Sequence, residues 1–148
     1  MSKEKEVKQY IIVRTDLGMN AGKLAAQASH ACLKVFFDKF EHTKIVGKGG
    51  KSVDAMVYKP SEAEMQWISG RFTKITKKVK NENQLLKVYQ AAKDAGLNAS
   101  LIKDAGLYGL EGENYTCVAV GPNYVEDCEP VVGKLQLLTD LKNNEAKE

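Results

Sequence analysis

The stretch Gln9–Leu33 constrains the chain most, because it passes from strand chemistry to helix chemistry through one short turn. Tyr10-Ile11-Ile12-Val13 is an apolar, β-branched run of strand length, and Asp16 to Asn20 are turn-forming. From Gly22 the Ala/Leu-rich sequence predicts a helix that continues through Val35-Phe36-Phe37 to about Phe40. A strand feeding a helix in this way belongs to a sheet covered by helices.

Within the predicted helix, Lys23, Gln27, His30 and Lys34 recur at steps of four, three and four, which places them on one stripe. Leu24, Ala28, Ala31, Cys32, Val35 and Phe36 form a small, apolar stripe suited to packing on a sheet. Asn20 is a good N-cap, so free backbone N–H groups and a partial positive charge point toward whatever lies beside Lys23. That suits an anion, or a carbonyl oxygen that becomes one. Spacing alone also accommodates a solvated Lys23 and an ordinary half-buried His30.

At 148 residues the chain is long enough for one domain with a single sizeable core. Its 43% hydrophobic and 28% charged content is that of an ordinary globular protein. Cys32, Cys117 and Cys128 are odd in number and show neither a C-x-x-C pair nor a metal spacing, so they read as reduced thiols in a cytoplasmic protein. The mixed-charge N-terminus lacks the apolar core of a signal peptide, and no run is long enough to span a bilayer. The net charge of +3 does not by itself imply nucleic acid. Its distribution is more suggestive, with Lys74, Lys77, Lys78 and Lys80 in one group and Lys44, Lys48 and Lys51 in another.

Taken in order, residues 1–8 are expected to form a tail, 9–138 a single domain and 139–148 a second tail. Between Glu41 and Pro60 the pattern lapses into a loop or short hairpin around Gly47-Lys48-Gly49-Gly50-Lys51. Gly50-Lys51-Ser52 matches the end of a phosphate-binding loop, but Ile45 stands where its first glycine is required. Ser61-Glu62-Ala63-Glu64 is a capping box for a short helix that contains Met65, Trp67 and Ile68 and ends at Gly70. Phe72–Val79 reads as a strand whose lysines suit a sheet edge, and Asn81 or Asn83 caps a helix that Gly96 closes. Ser100-Leu101-Ile102 is a strand ending at Asp104, and a glycine-rich loop joins it to a strand at 115–120 that closes at Gly121-Pro122. A short helix at 125–132, with Pro130 inside it, precedes Gly133–Leu138, which is expected to return to the core. The expected fold class is α/β: one domain, a mixed β-sheet of about four strands, and helices on both faces.

Several segments together carry a family signature. They are Arg14-Thr15-Asp16-Leu17 with Met19, Gly22-Lys23-Leu24-Ala25-Ala26-Gln27 through His30, Leu101–Gly106, Thr116–Pro122 and Gly133-Lys134-Leu135. In these the sequence resembles the type II peptidyl-tRNA hydrolases from Tyr10 to Leu138, with 42–59 as an insertion relative to that family. The resemblance implies hydrolysis of the ester joining a peptide to the terminal ribose of a tRNA, without metal or organic cofactor. It also allows a homodimer. It implies a catalytic role for Lys23 as oxyanion donor or electrostatic clamp, and for Asp104 as the group that orients Lys23 or takes a proton from water. It adds His30 and Thr116 to the catalytic set. Gln27, Tyr108, Lys74, Lys77 and Lys78 become substrate-binding candidates, the lysines through the RNA backbone.

One departure from the family pattern lies beside the proposed site. Where the family continues Asp-Ala-Gly with Arg-Thr, this chain has Leu107-Tyr108, which removes a cation and exchanges a small hydroxyl for one on a long arm. Retention of Lys23, Gln27, His30, Asp104 and Thr116 favours an esterase. The Leu107-Tyr108 departure favours a weakened member that binds tRNA or a protein partner through the same surface.

Overall fold

A computed structural model describes residues 5–104 and 114–139. The first strand, β1 (Val7–Arg14), is followed by α1 (Ala21–Phe37), a hairpin of β2 (Glu41–Val46) and β3 (Ser52–Val57), and α2 (Glu62–Ser69). Then come β4 (Lys74–Val79), α3 (Glu82–Asp94), β5 (Ala99–Asp104), β6 (Asn114–Tyr124), α4 (Val125–Val132) and β7 (Gln136–Leu137).

The main sheet has the order β5-β6-β1-β4-β7. β1 is parallel to β4 and antiparallel to β6, and β5 is antiparallel to β6, so β1, β4 and β5 all point the same way. The chain leaves β1 over one face and β4 over the other. Their carboxyl ends therefore meet at a topological switch, where an open α/β sheet presents its site.

Alternation along β1 divides the core. Ile11 and Val13 face α1 and α2, with Ala31, Val35, Phe36 and Trp67. Tyr10 and Ile12 face α3 and α4, with Leu85, Val88, Ala92, Cys128 and Val132. The α/β class, the mixed sheet and the helices on both faces stand as read from the sequence, and the sheet gains β7 as a fifth strand.

Local signals place the helix starts. The Asn20 side chain accepts the Lys23 backbone N–H at 2.8 Å, the Ser61 capping box is closed in both directions, and the Asn81 side chain accepts from Gln84 N at 2.9 Å. Gly96, at φ +74°, follows α3 where a left-handed residue is needed.

Four expectations change. The strand expected from Phe72 begins at Lys74 and is not an edge, because β7 pairs with Lys77 and Lys78 on its outer side. β6 does not close at Gly121-Pro122 but runs on to Tyr124, the proline being taken up where the β1–β6 register shifts between Lys8 and Tyr10. That longer strand also recruits the N-terminal segment: Val7 pairs with Tyr124, and Val125 N donates to Glu6 O at 2.9 Å. Gly133–Leu138 returns to the core only in part: Leu135 packs against the cluster on the α3 face, whereas β7 is exposed.

Residues 41–57 settle as an antiparallel hairpin exposed along nearly its whole length. Its base is anchored at Glu64, 1% exposed, which accepts hydrogen bonds from Lys39 Nζ at 2.9 Å, from Ser61 N at 2.9 Å and from the Tyr58 hydroxyl. Burial pushes the Glu64 carboxyl up, but these donors outweigh it and hold it below the usual range.

Of the small residues on α1, Ala25 and Ala26 face solvent, Ala28 is half-buried and Ala31 is fully buried. Close approach at Ala31 is evident from Ser100 Oγ of β5, which donates to the Ala31 carbonyl at 2.9 Å. Ala31→Leu should therefore overpack this contact and cost about 1–3 kcal/mol. Thermal unfolding checks it; an unchanged Tm would mean that α1 does not press on the sheet there.

Candidate active site

The carboxyl ends of β1 and β5 and the N-terminus of α1 converge on one ion pair. Lys23 Nζ lies 2.5 Å from Asp104 Oδ1, with the two side chains 11% and 6% exposed. Lys23 comes from the first turn of α1. Asp104 ends β5 on the side of Ser100 and Ile102, which faces α1. Gln27, one turn beyond Lys23, donates from Nε2 to the same Asp104 oxygen at 3.4 Å. The Thr116 hydroxyl in turn donates to Gln27 Oε1.

Thr116 reaches this group because of an irregularity in the sheet. Ile102 pairs with Cys117 and Lys103 with Tyr115, so Thr116 is the extra residue of a β-bulge on β6. The bulge turns its side chain inward, where it is fully buried.

The chemistry available here is that of a masked charge pair beside a helix N-terminus. Asp104 can accept a proton. Lys23 can hold a developing negative charge, helped by the positive end of α1, whose first turn contains no acidic residue. Burial strengthens both interactions relative to water.

Lys23, Asp104, Gln27 and Thr116 thus come together, and the other candidates lie elsewhere. His30 is exposed, because the buried line of α1 runs through Gln27, Ala31 and Val35 and His30 falls to its solvent side. Lys34 pairs with Asp38 at 2.7 Å. Tyr108, with Leu107, lies outside the described residues.

The three lysines of β4 do not make one patch. Lys74 packs its ammonium 5.1 Å from the Trp67 ring centre and 4.9 Å from that of Phe72, at the end of β4 away from Asp104. Lys77 is on the α3 face, beside Ile12, and donates to Leu135 O at 3.1 Å. Lys78, beside Val13, shares both the face and the end of the sheet with Lys23.

Burial pushes the Cys117 thiol to about 12, with a small opposing effect from Thr116, and also raises the Cys128 thiol to about 12. Neither is a thiolate nucleophile at neutral pH.

Arg14, which has no role predicted from the sequence, ends β1 and is only 8% exposed. Its Nε and Nη2 donate to the two Asp16 oxygens at 3.0 and 2.8 Å, and Nη1 donates to the Tyr115 carbonyl at 3.0 Å. The available signal was the pattern Arg-x-Asp at the end of the central strand, where a guanidinium and a carboxylate two residues apart match as a bidentate pair.

Comparison with known proteins identifies the family. The family model described as peptidyl-tRNA hydrolase PTH2 matches residues 7–138. A protein of Methanocaldococcus jannaschii named peptidyl-tRNA hydrolase is 33% identical over 132 residues, covering 89% of this chain and all of that protein. Its namesake from Sulfolobus acidocaldarius is 35% identical over 137 residues, with 89% of this chain and all of that protein covered. One from Methanopyrus kandleri is 36% identical over 131 residues, covering 88% and 97%. Most of this fold, including all four residues of the cluster, lies within the matched region, and the chain belongs to the PTH2 family of peptidyl-tRNA hydrolases.

Proposed function

We propose that this chain hydrolyses the ester between a peptide, or an N-blocked amino acid, and the terminal ribose of tRNA. The observation that supports this reading is the Lys23–Asp104 pair, tied to Gln27 and Thr116 at the carboxyl ends of the strands. In the reaction, Asp104 takes a proton from a water molecule as its oxygen attacks the ester carbonyl. Lys23 and the start of α1 stabilise the oxyanion of the tetrahedral intermediate. Collapse breaks the carbon–oxygen bond to the ribose, and Asp104 returns the proton to the leaving hydroxyl. Protonation of Asp104 also frees Lys23 from its partner at the moment the oxyanion forms, so the pair acts as a unit. Gln27 and Thr116 hold the carboxylate in place.

Reduced thiols and a substrate drawn from translation suit the cytoplasm. Among the described residues, no helix is long and apolar enough to cross a membrane.

RNA is held through its backbone by cations around the site, with Lys78 nearest among the β4 lysines. Binding of deacylated tRNA should then weaken roughly tenfold to a hundredfold between 50 and 200 mM salt, as expected for a few lysine–phosphate contacts. Affinity that ignores salt over this range, measured by filter binding or fluorescence anisotropy, would contradict electrostatic docking.

A further inference from the structure

Arg14 carries an inference that rests on the hydrolase reading and extends it. Ladder pairing between β1 and β6 ends at Val13 and Cys117, and the β5–β6 register skips Thr116. The peptide between Tyr115 and Thr116 therefore lies at the bulge, with Tyr115 paired to Lys103 on the β5 side but no ladder partner on the β1 side. Its carbonyl is instead held by Arg14 Nη1 at 3.0 Å. Because a peptide unit is planar, fixing that carbonyl fixes the direction in which Thr116 leaves the backbone.

The guanidinium is itself braced. Asp16 accepts two of its N–H groups, and Glu82, the first residue of α3, lies 3.7 Å from Nη1. Hydrogen bonding to Arg14 holds the Asp16 carboxyl below its usual range, so this brace is charged at neutral pH. Arg14 follows Val13 on β1 and so leaves the strand on the α3 face, away from Lys23 and Asp104.

We propose that Arg14 is a positioning residue for the hydrolysis: acting from the opposite face of the sheet, it fixes the Tyr115–Thr116 peptide and thereby aims the Thr116 hydroxyl at Gln27. Through Gln27 this sets the orientation of Asp104.

A double-mutant cycle on N-acetylaminoacyl-tRNA tests it, with folding of each variant verified by circular dichroism. Arg14→Met should lower kcat by about tenfold to a hundredfold with KM close to wild type, as a misplaced catalytic group does. Arg14→Lys, which retains one charged donor, should recover part of that loss. Thr116→Val should lower kcat to a similar degree, and the double variant should be no worse than the poorer single one. Losses that multiply, or an Arg14→Met protein with the kcat of wild type, would overturn the proposal. If Arg14→Met does not fold, Arg14→Lys with Thr116→Val completes the same cycle. A wild type unable to hydrolyse the substrate overturns the hydrolase reading and this one with it, whereas multiplying losses in an active enzyme overturn this one alone.

Discussion

Asp104→Asn is expected to slow ester hydrolysis by about a hundredfold or more, the usual scale for losing an acid–base group. The substitution keeps the shape of the side chain and a carbonyl oxygen for Gln27. It removes both the proton acceptor and the anion that lies 2.5 Å from Lys23. Lys23→Met, which keeps most of the stem but no cation, should cost a comparable factor through loss of oxyanion stabilisation. Combined, the two should cost far less than the product of the separate losses, because neither residue has its function without the other. His30→Ala is the control: its side chain is exposed and outside the cluster, and the rate should be that of wild type. Rates measured at saturating substrate on folded protein decide the matter, and strictly multiplicative losses would mean that Lys23 and Asp104 act independently.

The largest effect on stability is expected at Gly121. This residue has φ +95°, and a Cβ there would stand 2.6 Å from the Lys8 carbonyl oxygen and 3.0 Å from Asn123 N. Both neighbours are backbone, so neither can swing aside as a side-chain end would. The left-handed conformation costs a non-glycine residue about 1–2 kcal/mol, and overpacking adds about 1–3 kcal/mol. Gly121→Ala should therefore lose roughly 2–5 kcal/mol, equivalent to about 4–20 °C in Tm for a chain of this size. Gly50→Ala separates the two causes, because Gly50 has φ +76° with nothing within 4 Å of the added carbon. It should show only the conformational part. If Gly121→Ala melts with wild type, β1 and β6 do not approach each other as closely as the register at Lys8 requires.

What was legible in the sequence was local. Asn20, Ser61, Asn81 and Gly96 act on groups a few residues away, so capping rules locate α1, α2 and α3 without knowledge of the fold. The strand-to-helix change after Val13 places Lys23 at a helix start, and one turn more gives Gln27. Asp104 was legible as the end of a strand, and its meeting with Lys23 across 81 positions came only from the family resemblance. What was not legible depends on partners distant in sequence. His30 has the spacing of Lys23 and Gln27, yet the line of contact with the sheet passes through Ala31 and Val35 instead. The inward turn of Thr116 follows from a bulge, which exists only as a mismatch between two strands. β7 is two residues pairing with Lys77 and Lys78, too short to leave a periodic signal. Arg14 looks like a strand-terminal cation until Tyr115 is brought beside it.

In the proposed mechanism, Lys23 and Asp104 form the centre of an esterase acting on acylated tRNA. Release of labelled N-acetyl amino acid from N-acetylaminoacyl-tRNA, followed with enzyme well below substrate, is the decisive measurement. Wild type should turn over many times, and Asp104→Asn should bind the same tRNA with similar affinity while releasing product at about a hundredth of the rate or less. A wild type that binds tRNA and releases nothing would be a binding protein rather than a hydrolase, and an Asp104→Asn variant as fast as wild type would remove Asp104 from the reaction.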